Sequence, residues 1–294
     1  KGKQKPIPIC TLEGERTLNL AKAVDQKGPL LGRETEMSLL RHLCDEAEGG
    51  RGRSAVIWGE AGMGKSRLLQ EFEGYLSTRA WTLHRGRCQP HTMASPFAPW
   101  VHVLQSFFGI TPDEPAEART EKTLTTIERL RPDLLEMAPL LNALLQLSVP
   151  LTDVFHSLDM ESRRHKLFEL VTALFQAAAV ESPLAIVVED LHWADHSSLE
   201  LAGHGGAALE LSRLALCLTA RPKEGLELGL PPTTTLTISL GELPRDAGLQ
   251  LVRGVLEWRE LPAPVAEAIL AKAGGNPLFL EEVARSISQS QSLD

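Results

Sequence analysis

Cysteine is scarce in this chain: four in 294 residues, Cys10, Cys44, Cys88 and Cys217, none of them in a CxxC pair. That scatter excludes a disulfide framework and a cysteine-based metal site, and leaves reduced thiols in a cytoplasmic protein as the expectation. His84, His91, His102 and His165 show no metal-ligand spacing among themselves, so a structural zinc site is not expected. A surplus of positive charge is missing too, since 30 Lys and Arg face 38 Asp and Glu for a net charge of −8. Bulk attraction to phosphate backbones or anionic lipid is thereby lost, and direct nucleic-acid binding is disfavoured. No apolar run reaches the length of a membrane span, and no internal repeat or low-complexity tract stands out.

What is present is enough apolar material, 43% of the residues, to bury one large core or a core with a smaller companion. The chain opens on Lys1 and closes on the polar stretch SISQSQSLD, and is expected to be a piece of a longer protein. KGKQKPIPICTL reads as a short strand with prolines at its edge, followed by a polar linker to Gly28. From Pro29 the pattern becomes regular. Leu39, Leu40 and Leu43 recur at helical spacing behind Glu34 and Glu36, acids suited to a helix N-terminus. SAVIWGEAGMGKSRLLQEF then gives a strand ending at Trp58, a glycine loop, and a helix with Leu68, Leu69, Phe72, Tyr75 and Leu76 on one face. AWTLHRGRC is a second strand, and helices interrupted at Pro132, Pro139 and Pro150 fill residues 100–180. Strands follow over 184–190, 214–221 and 233–240, with a helix near HSSLELAGHGGAALEL between the first two. Beyond Gly241 come three helices and no strand. The alternation predicts an α/β fold, a parallel sheet with helices on both faces, followed by an all-helical subdomain.

Two stretches carry chemistry. GEAGMGKS, Gly59 to Ser66, fits GxxxxGK[ST] at every specified position and stands between a strand and an amphipathic helix. In that setting the loop's backbone N–H groups cradle phosphate, Lys65 reaches the β and γ phosphates, and the Ser66 hydroxyl ligates Mg²⁺. AIVVEDLHWA, from Ala185 to Ala194, is an apolar run ending in two acids, Glu189 and Asp190. Side chains alternate along a strand, so the two should point different ways. A phosphate cradle needs one carboxylate near the metal and one to orient and deprotonate water. The carboxyl ends of a parallel sheet are where both would be wanted.

Together these stretches resemble the STAND class of P-loop NTPases, within the AAA-type ATPases, signalling modules often joined to nucleotide cyclases, LuxR-type regulators or protein kinases. The resemblance runs from Pro29 to Ile287. LLGRETE matches the class's hhGRExE element, GEAGMGKS its Walker A motif and LAIVVEDLHWAD its Walker B region, while LCLTARP matches its sensor strand and GGNPLFLEE the GxP motif of its helical lid. The resemblance implies an ASCE-type, AAA-like core over 29–241, with the helical insertion at 100–180, and a lid over 242–294. It implies ATP or ADP held by Arg33, by Gly59, Glu60, Ala61, Gly62, Met63, Gly64, Lys65, Ser66 and Arg67, and by Pro277 against the adenine. Arg221 would face the γ-phosphate. Mg²⁺ would be held by Ser66 and by Glu189, directly or through water.

Many AAA-type enzymes end the acid strand in Asp then Glu, whereas here the order is Glu189 then Asp190. Position gives the metal to Glu189 and water activation to Asp190. The shorter acid on the water implies slow hydrolysis, suited to a switch. Trp193 and Asp195 read as a packing residue and a helix cap, and Arg163 and Arg164 as a solvated helix face. His192 stays open between a satisfied polar residue and a contact to phosphate or water. Separately, KGKQKPIPICTL, Lys1 to Leu12, which heads the tail and linker over residues 1–28, is similar to the last strand of class III nucleotide cyclases. That implies a cyclase domain upstream and covalently attached partner domains on both sides. The expected function is an ATP-binding, slowly hydrolysing regulatory module with nucleotide-dependent self-association. A non-hydrolysing ADP- or ATP-bound scaffold and a P-loop small-molecule kinase stay open beside it.

Overall fold

The computed structural model describes residues 28–256 and 262–291. The strand and linker expected over residues 1–27 lie outside them. Helix α1, Glu34–Glu48, starts with its two acids; Glu34 accepts a hydrogen bond from the Gly32 N–H at 3.1 Å. Met37, Leu40, Leu43, Cys44 and Ala47 make its buried face. Strand β1, Arg53–Trp58, leads through the glycine loop into α2, Lys65–Ser77, and β2 follows at Thr82–Arg87.

The predicted helical stretch consists of α3, Ala98–Phe108, α4, Ala116–Leu130, and the long α5, Met160–Glu181, with short turns of helix at Pro132–Leu141, Asn142–Leu145 and Asp153–Ser157. Pro139 lies in the first of these turns, which is 3₁₀ rather than α, as expected where a ring replaces a donor. Arg163 does not lie on a purely solvated face: its guanidinium stacks over Phe155, 4.1 Å from the ring centroid.

Strand β3, Leu184–Glu189, helix α6, His196–Ala207, β4, Leu214–Ala220, and β5, Thr235–Ser239, complete the core. The acid and sensor strands each stop one residue short of expectation. Asp190 turns into the left-handed region at φ 60°, and Arg221 precedes Pro222. All pairings are parallel, in the order β2-β3-β4-β1-β5. Every residue of β3 and β4 is buried, the continuous apolar pattern of strands covered on both faces.

Alternation along the strands divides the core in two. Ala55, Ile57, Ala185, Val187 and Cys217 pack against Leu40, Leu68, Leu69 and Phe72 of α1 and α2. On the other face Val56, Ile186, Val188, Leu216 and Leu218 join Trp100, Leu104, Leu174 and Phe175 of α3 and α5. Trp100 also donates from Nε1 to the Ser198 carbonyl at 3.0 Å, tying α3 to α6. Three helices follow the sheet, α7, Arg245–Leu256, α8, Ala263–Ala273, and α9, Pro277–Gln291. They share an apolar cluster of their own, with Val252, Leu256, Ile269, Leu280 and Ala284 at its centre. Cys44, Cys88 and Cys217 are buried and free; burial pushes the Cys44 and Cys88 thiols up to about 12. Among the described residues no helix is long and apolar enough to cross a membrane.

Candidate functional site

Strand β1 delivers the chain to the carboxyl edge of the sheet, where Trp58 lies level with Ala220 of β4 and Ser239 of β5. The glycine loop turns there with Gly62 at φ 82° and Gly64 at φ 88°, both left-handed, a conformation open to glycine at little cost. Lys65, the first residue of α2, is buried, and its ammonium donates to the Gly59 and Glu60 carbonyls at 2.6 and 3.1 Å. Burial lowers its pKa, while nearby Asp190 opposes the shift. The ammonium thus rests on its own loop.

The second motif meets the first directly. The Ser66 hydroxyl donates to Glu189 Oε2 at 3.0 Å, joining residues 123 positions apart. Glu189 is 1% exposed. Its other oxygen accepts from Arg85 Nε at 2.9 Å and from a second nitrogen of the same guanidinium. Asp190 takes a separate course, set by the left-handed turn beyond the strand end rather than by alternation along it. Its backbone N–H donates to Thr219 Oγ1 at 3.0 Å, and its carboxylate faces Arg87 at 3.3 Å. Arg85 and Arg87 both come from β2, so each acid has its own arginine.

Strand β4 lies between β3 and β1, which places Arg221 and the turn after Asp190 side by side. The Arg221 backbone N–H donates to His192 Nδ1 at 3.4 Å. Accepting at Nδ1 leaves the proton of the neutral ring on Nε2, a buried atom with no protein partner. Burial holds the His192 pKa below its ordinary value; Asp190 pulls it up, and Arg221 and Lys65 push it down again. The Arg221 Nε is likewise buried and unpartnered. Buried donors without acceptors are costly, and two at one strand edge mark where an anion would be stabilised. Trp193 packs on the core. Asp195 caps α6, accepting from the Ser198 N–H at 3.0 Å. His192 and His196 stand four residues apart, an interval at which two histidines on one helix face could share a metal. The first is buried, whereas the His196 side chain is 82% exposed and lies near Glu200.

Arg33 is 6% exposed and pairs with Glu36 at 3.0 Å. Its guanidinium also donates to the Met63 carbonyl at 3.4 Å and to the Gly241 carbonyl, so it ties the loop to the chain entering the C-terminal helices. The Arg67 side chain turns away, toward Glu71 at 3.1 Å and the Gly28 carbonyl at 2.7 Å. Pro277 opens α9 beside the loop. Just before it, Asn276 donates from Nδ2 to the Ala61 carbonyl at 3.1 Å and accepts the Leu278 N–H at 3.0 Å. Leu278 N–H also reaches the Gly62 carbonyl at 3.4 Å.

The site thus brings together Lys65, Ser66, Glu189, Asp190, His192 and Arg221 along one sheet edge. Arg85, Arg87, Thr219 and Asn276 escaped the sequence reading. The HRGR run in β2 and an Asn directly before a helix-opening Pro were the available signals. A hard serine hydroxyl and a carboxylate oxygen 3.0 Å apart suit a small divalent cation such as Mg²⁺ that keeps several waters. Among the described residues no cluster of three or more His, Cys, Asp or Glu could hold a metal. A cation here would therefore take its remaining oxygens from water and phosphate.

The model of the AAA ATPase domain family matches residues 29–217. A protein of Rhizobium meliloti (strain 1021) with no assigned function is 25% identical over 283 residues, 91% of this chain. The chain spans 26% of the length of that relative. Among solved structures it is similar to Drosophila ORC bound to DNA (TM-score 0.55, 12% identity, 99% of this chain and 66% of that one). It is also similar to a STAND protein with a tetratricopeptide repeat sensor from Pyrococcus horikoshii (TM-score 0.46, 16% identity, 85% of this chain and 29% of that one). At 12% identity the likeness to the ORC structure speaks to the fold alone.

Proposed function

The chain belongs to the AAA ATPase domain family, and on that premise we propose that it is an ATP-binding, slowly hydrolysing switch module of the STAND type within a larger signalling protein. One observation carries this reading: the Ser66 hydroxyl on Glu189 Oε2 at 3.0 Å, which closes the phosphate loop onto the acid strand. In the proposed mechanism the loop N–H groups from Gly59 to Arg67 bind the β-phosphate, and Lys65 leaves the Gly59 and Glu60 carbonyls for the β and γ phosphates. Ser66 and Glu189 would hold Mg²⁺, which would supply neutralisation of phosphate charge. Asp190 orients a water and accepts its proton as the oxygen attacks the γ-phosphorus and ADP leaves. His192 Nε2–H and Arg221 donate to the oxygens of the transferred group.

Slow turnover is supported by the engagement of both acids with arginines, since the carboxylate of Asp190 faces Arg87 at 3.3 Å. Switching is supported by the bonds from Asn276 and Leu278 to the loop, which give the helices over 242–294 a direct reading of what the loop holds. We assign the core to 29–241, the lid to this C-terminal segment, adenine contact to Pro277, and a loop-ordering role to Arg33. A cytoplasmic setting, attached domains on both sides with a cyclase upstream, and nucleotide-dependent self-association complete the proposal. The acidic charge of −8 speaks against direct contact with nucleic acid.

Equilibrium binding of a fluorescent ADP, followed by phosphate release from ATP, tests the reading. The chain should bind ADP and turn ATP over slowly, while Lys65→Ala should lose at least about tenfold in affinity, the loss of one charge-assisted contact. A chain that binds neither nucleotide overturns the proposal. Tight ADP with no turnover at high protein concentration favours the scaffold reading.

A further inference from the structure

Arg85 has its guanidinium enclosed by two carboxylates from different elements. Nε donates to Glu189 Oε1 at 2.9 Å, with a second nitrogen of the fork on the same oxygen. Nη1 lies 3.1 Å from Glu73 Oε1 and 3.2 Å from Oε2. Glu73 belongs to α2, the helix that begins with Lys65 and Ser66, and Glu189 ends the acid strand. The Glu189 side chain is 2% exposed and that of Glu73 is 16% exposed, so neither can turn freely to solvent. Burial pushes Glu73 above the usual carboxylate range and Arg85 pulls it back.

The arrangement divides the two oxygens of Glu189 between two partners. Oε1 is saturated by a forked donor that also fixes the plane of the carboxylate. Oε2 alone is left toward Ser66. A cation approaching that oxygen meets a guanidinium on the other oxygen, 2.9 Å away, and it cannot chelate both oxygens without displacing the arginine. Phosphate oxygens from a nucleotide would supply the negative charge that Arg85 has removed.

We propose that Arg85 is a positioning residue for the cation site. It presents one oxygen of Glu189 beside Ser66 and weakens divalent-metal binding by the nucleotide-free protein, so that metal and nucleotide enter together. The proposal rests on the nucleotide-binding reading above and adds to it the residue that makes metal binding conditional. A purely structural ion cluster would instead alter folding stability and leave the balance between metal and nucleotide untouched.

The experiment uses the whole chain and two readouts. Free Mn²⁺ is titrated by electron paramagnetic resonance without nucleotide, and fluorescent ADP is titrated in EDTA. The variants are Arg85→Lys and the double variant Arg85→Gln with Glu73→Gln, which removes one charge of each sign and so avoids stranding an unpaired buried carboxylate at Glu73. The double variant should bind Mn²⁺ about tenfold or more tightly than the parent, comparable in size and opposite in sign to the usual loss when an outer-shell partner is removed. Arg85→Lys should fall between them, and ADP affinity in EDTA should stay within about twofold in all three. Equal Mn²⁺ affinity in parent and double variant overturns the proposal, as does a change in Mn²⁺ affinity matched by an equal change for ADP in EDTA. Failure of the parent to bind ADP with or without metal would instead sink the nucleotide reading, and that is visible before any Mn²⁺ is added.

Discussion

Gly62 and Gly64 offer a matched pair for measuring how strongly the phosphate loop grips the helical segment after the sheet. Both are left-handed, at φ 82° and 88°, so alanine at either should cost about 1–2 kcal/mol of backbone strain. Their surroundings differ. A Cβ on Gly64 meets nothing within 4 Å, whereas one on Gly62 falls 2.6 Å from Asn276 Oδ1 and 2.8 Å from Leu278 Cβ. Gly62→Ala must therefore displace Asn276 and lose its bonds to the Ala61 carbonyl and the Leu278 N–H, about 1 kcal/mol each. The expected stability losses are about 1–2 kcal/mol for Gly64→Ala and about 3–4 kcal/mol for Gly62→Ala. Urea unfolding without nucleotide measures the totals, and amide exchange across 277–287 locates the difference. The gap of about 2 kcal/mol corresponds to a roughly thirtyfold loss of protection in α9 that only Gly62→Ala should show. Equal unfolding midpoints, or equal protection of α9 in the two variants, would refute the idea that the loop and Asn276 form one coupled contact.

Asp190→Asn should keep ATP binding and lower turnover by about 10²-fold or more, while Glu189→Gln should mainly raise the Mg²⁺ concentration needed for turnover. The opposite pattern, read from phosphate release at varied Mg²⁺, would exchange the roles of the two acids. His84 gives a stability prediction through pH. Burial holds it at about 4, against an ordinary 6.5, with Nδ1 2.8 Å from Ser106 Oγ. A depressed histidine is protonated more readily in the unfolded chain, so its contribution is present above pH 6.5 and fades as pH falls toward 4. Between pH 8 and pH 5 that amounts to about 2 kcal/mol. His84→Gln should flatten the urea midpoint over that range by this amount, and an unchanged acid slope would show that the ring is not held neutral.

Long-period features of the fold were legible because few physical alternatives exist for them. A buried β3, a glycine loop between strand and helix, and the run of helices after Gly241 each follow from apolar spacing and turn chemistry. Contacts that depend on strand order were not legible. Nothing in HRGR says that β2 lies beside β3, and only that neighbour relation, with Arg87 level with Glu189, turns two ordinary edge arginines into partners of the acids. Asn276 was hidden in the same way, because its partner carbonyl at Ala61 is 215 residues distant. Strand ends were misjudged by one residue where the site itself distorts them, at Asp190 with its positive φ. A non-glycine residue held there is strained, and sites that present a side chain at a strand edge are where such strain collects.

The order of the two acids gains a physical meaning from the sheet. The helix that follows the loop starts from β1, two strands away from β3, and the acid at the end of β3 has to reach its first turn at Ser66. Glutamate is one methylene longer than aspartate, and Glu189 uses that length to touch Ser66 with one oxygen and Arg85 with the other. Asp190 needs less reach, since the left-handed turn and the bond of its N–H to Thr219 already swing it to the rim. Exchanging the pair, Glu189→Asp with Asp190→Glu, would restore the commoner order and should nevertheless work less well here. The shortened side chain cannot span Ser66 and Arg85 together, and leaving Arg85 and Glu73 without their third partner should cost about 1–3 kcal/mol of stability. Urea unfolding and the Mg²⁺ dependence of nucleotide binding should worsen together. If the exchanged variant is as stable and needs no more Mg²⁺, acid length is not what fixes the order, and Arg85 must accept either side chain equally.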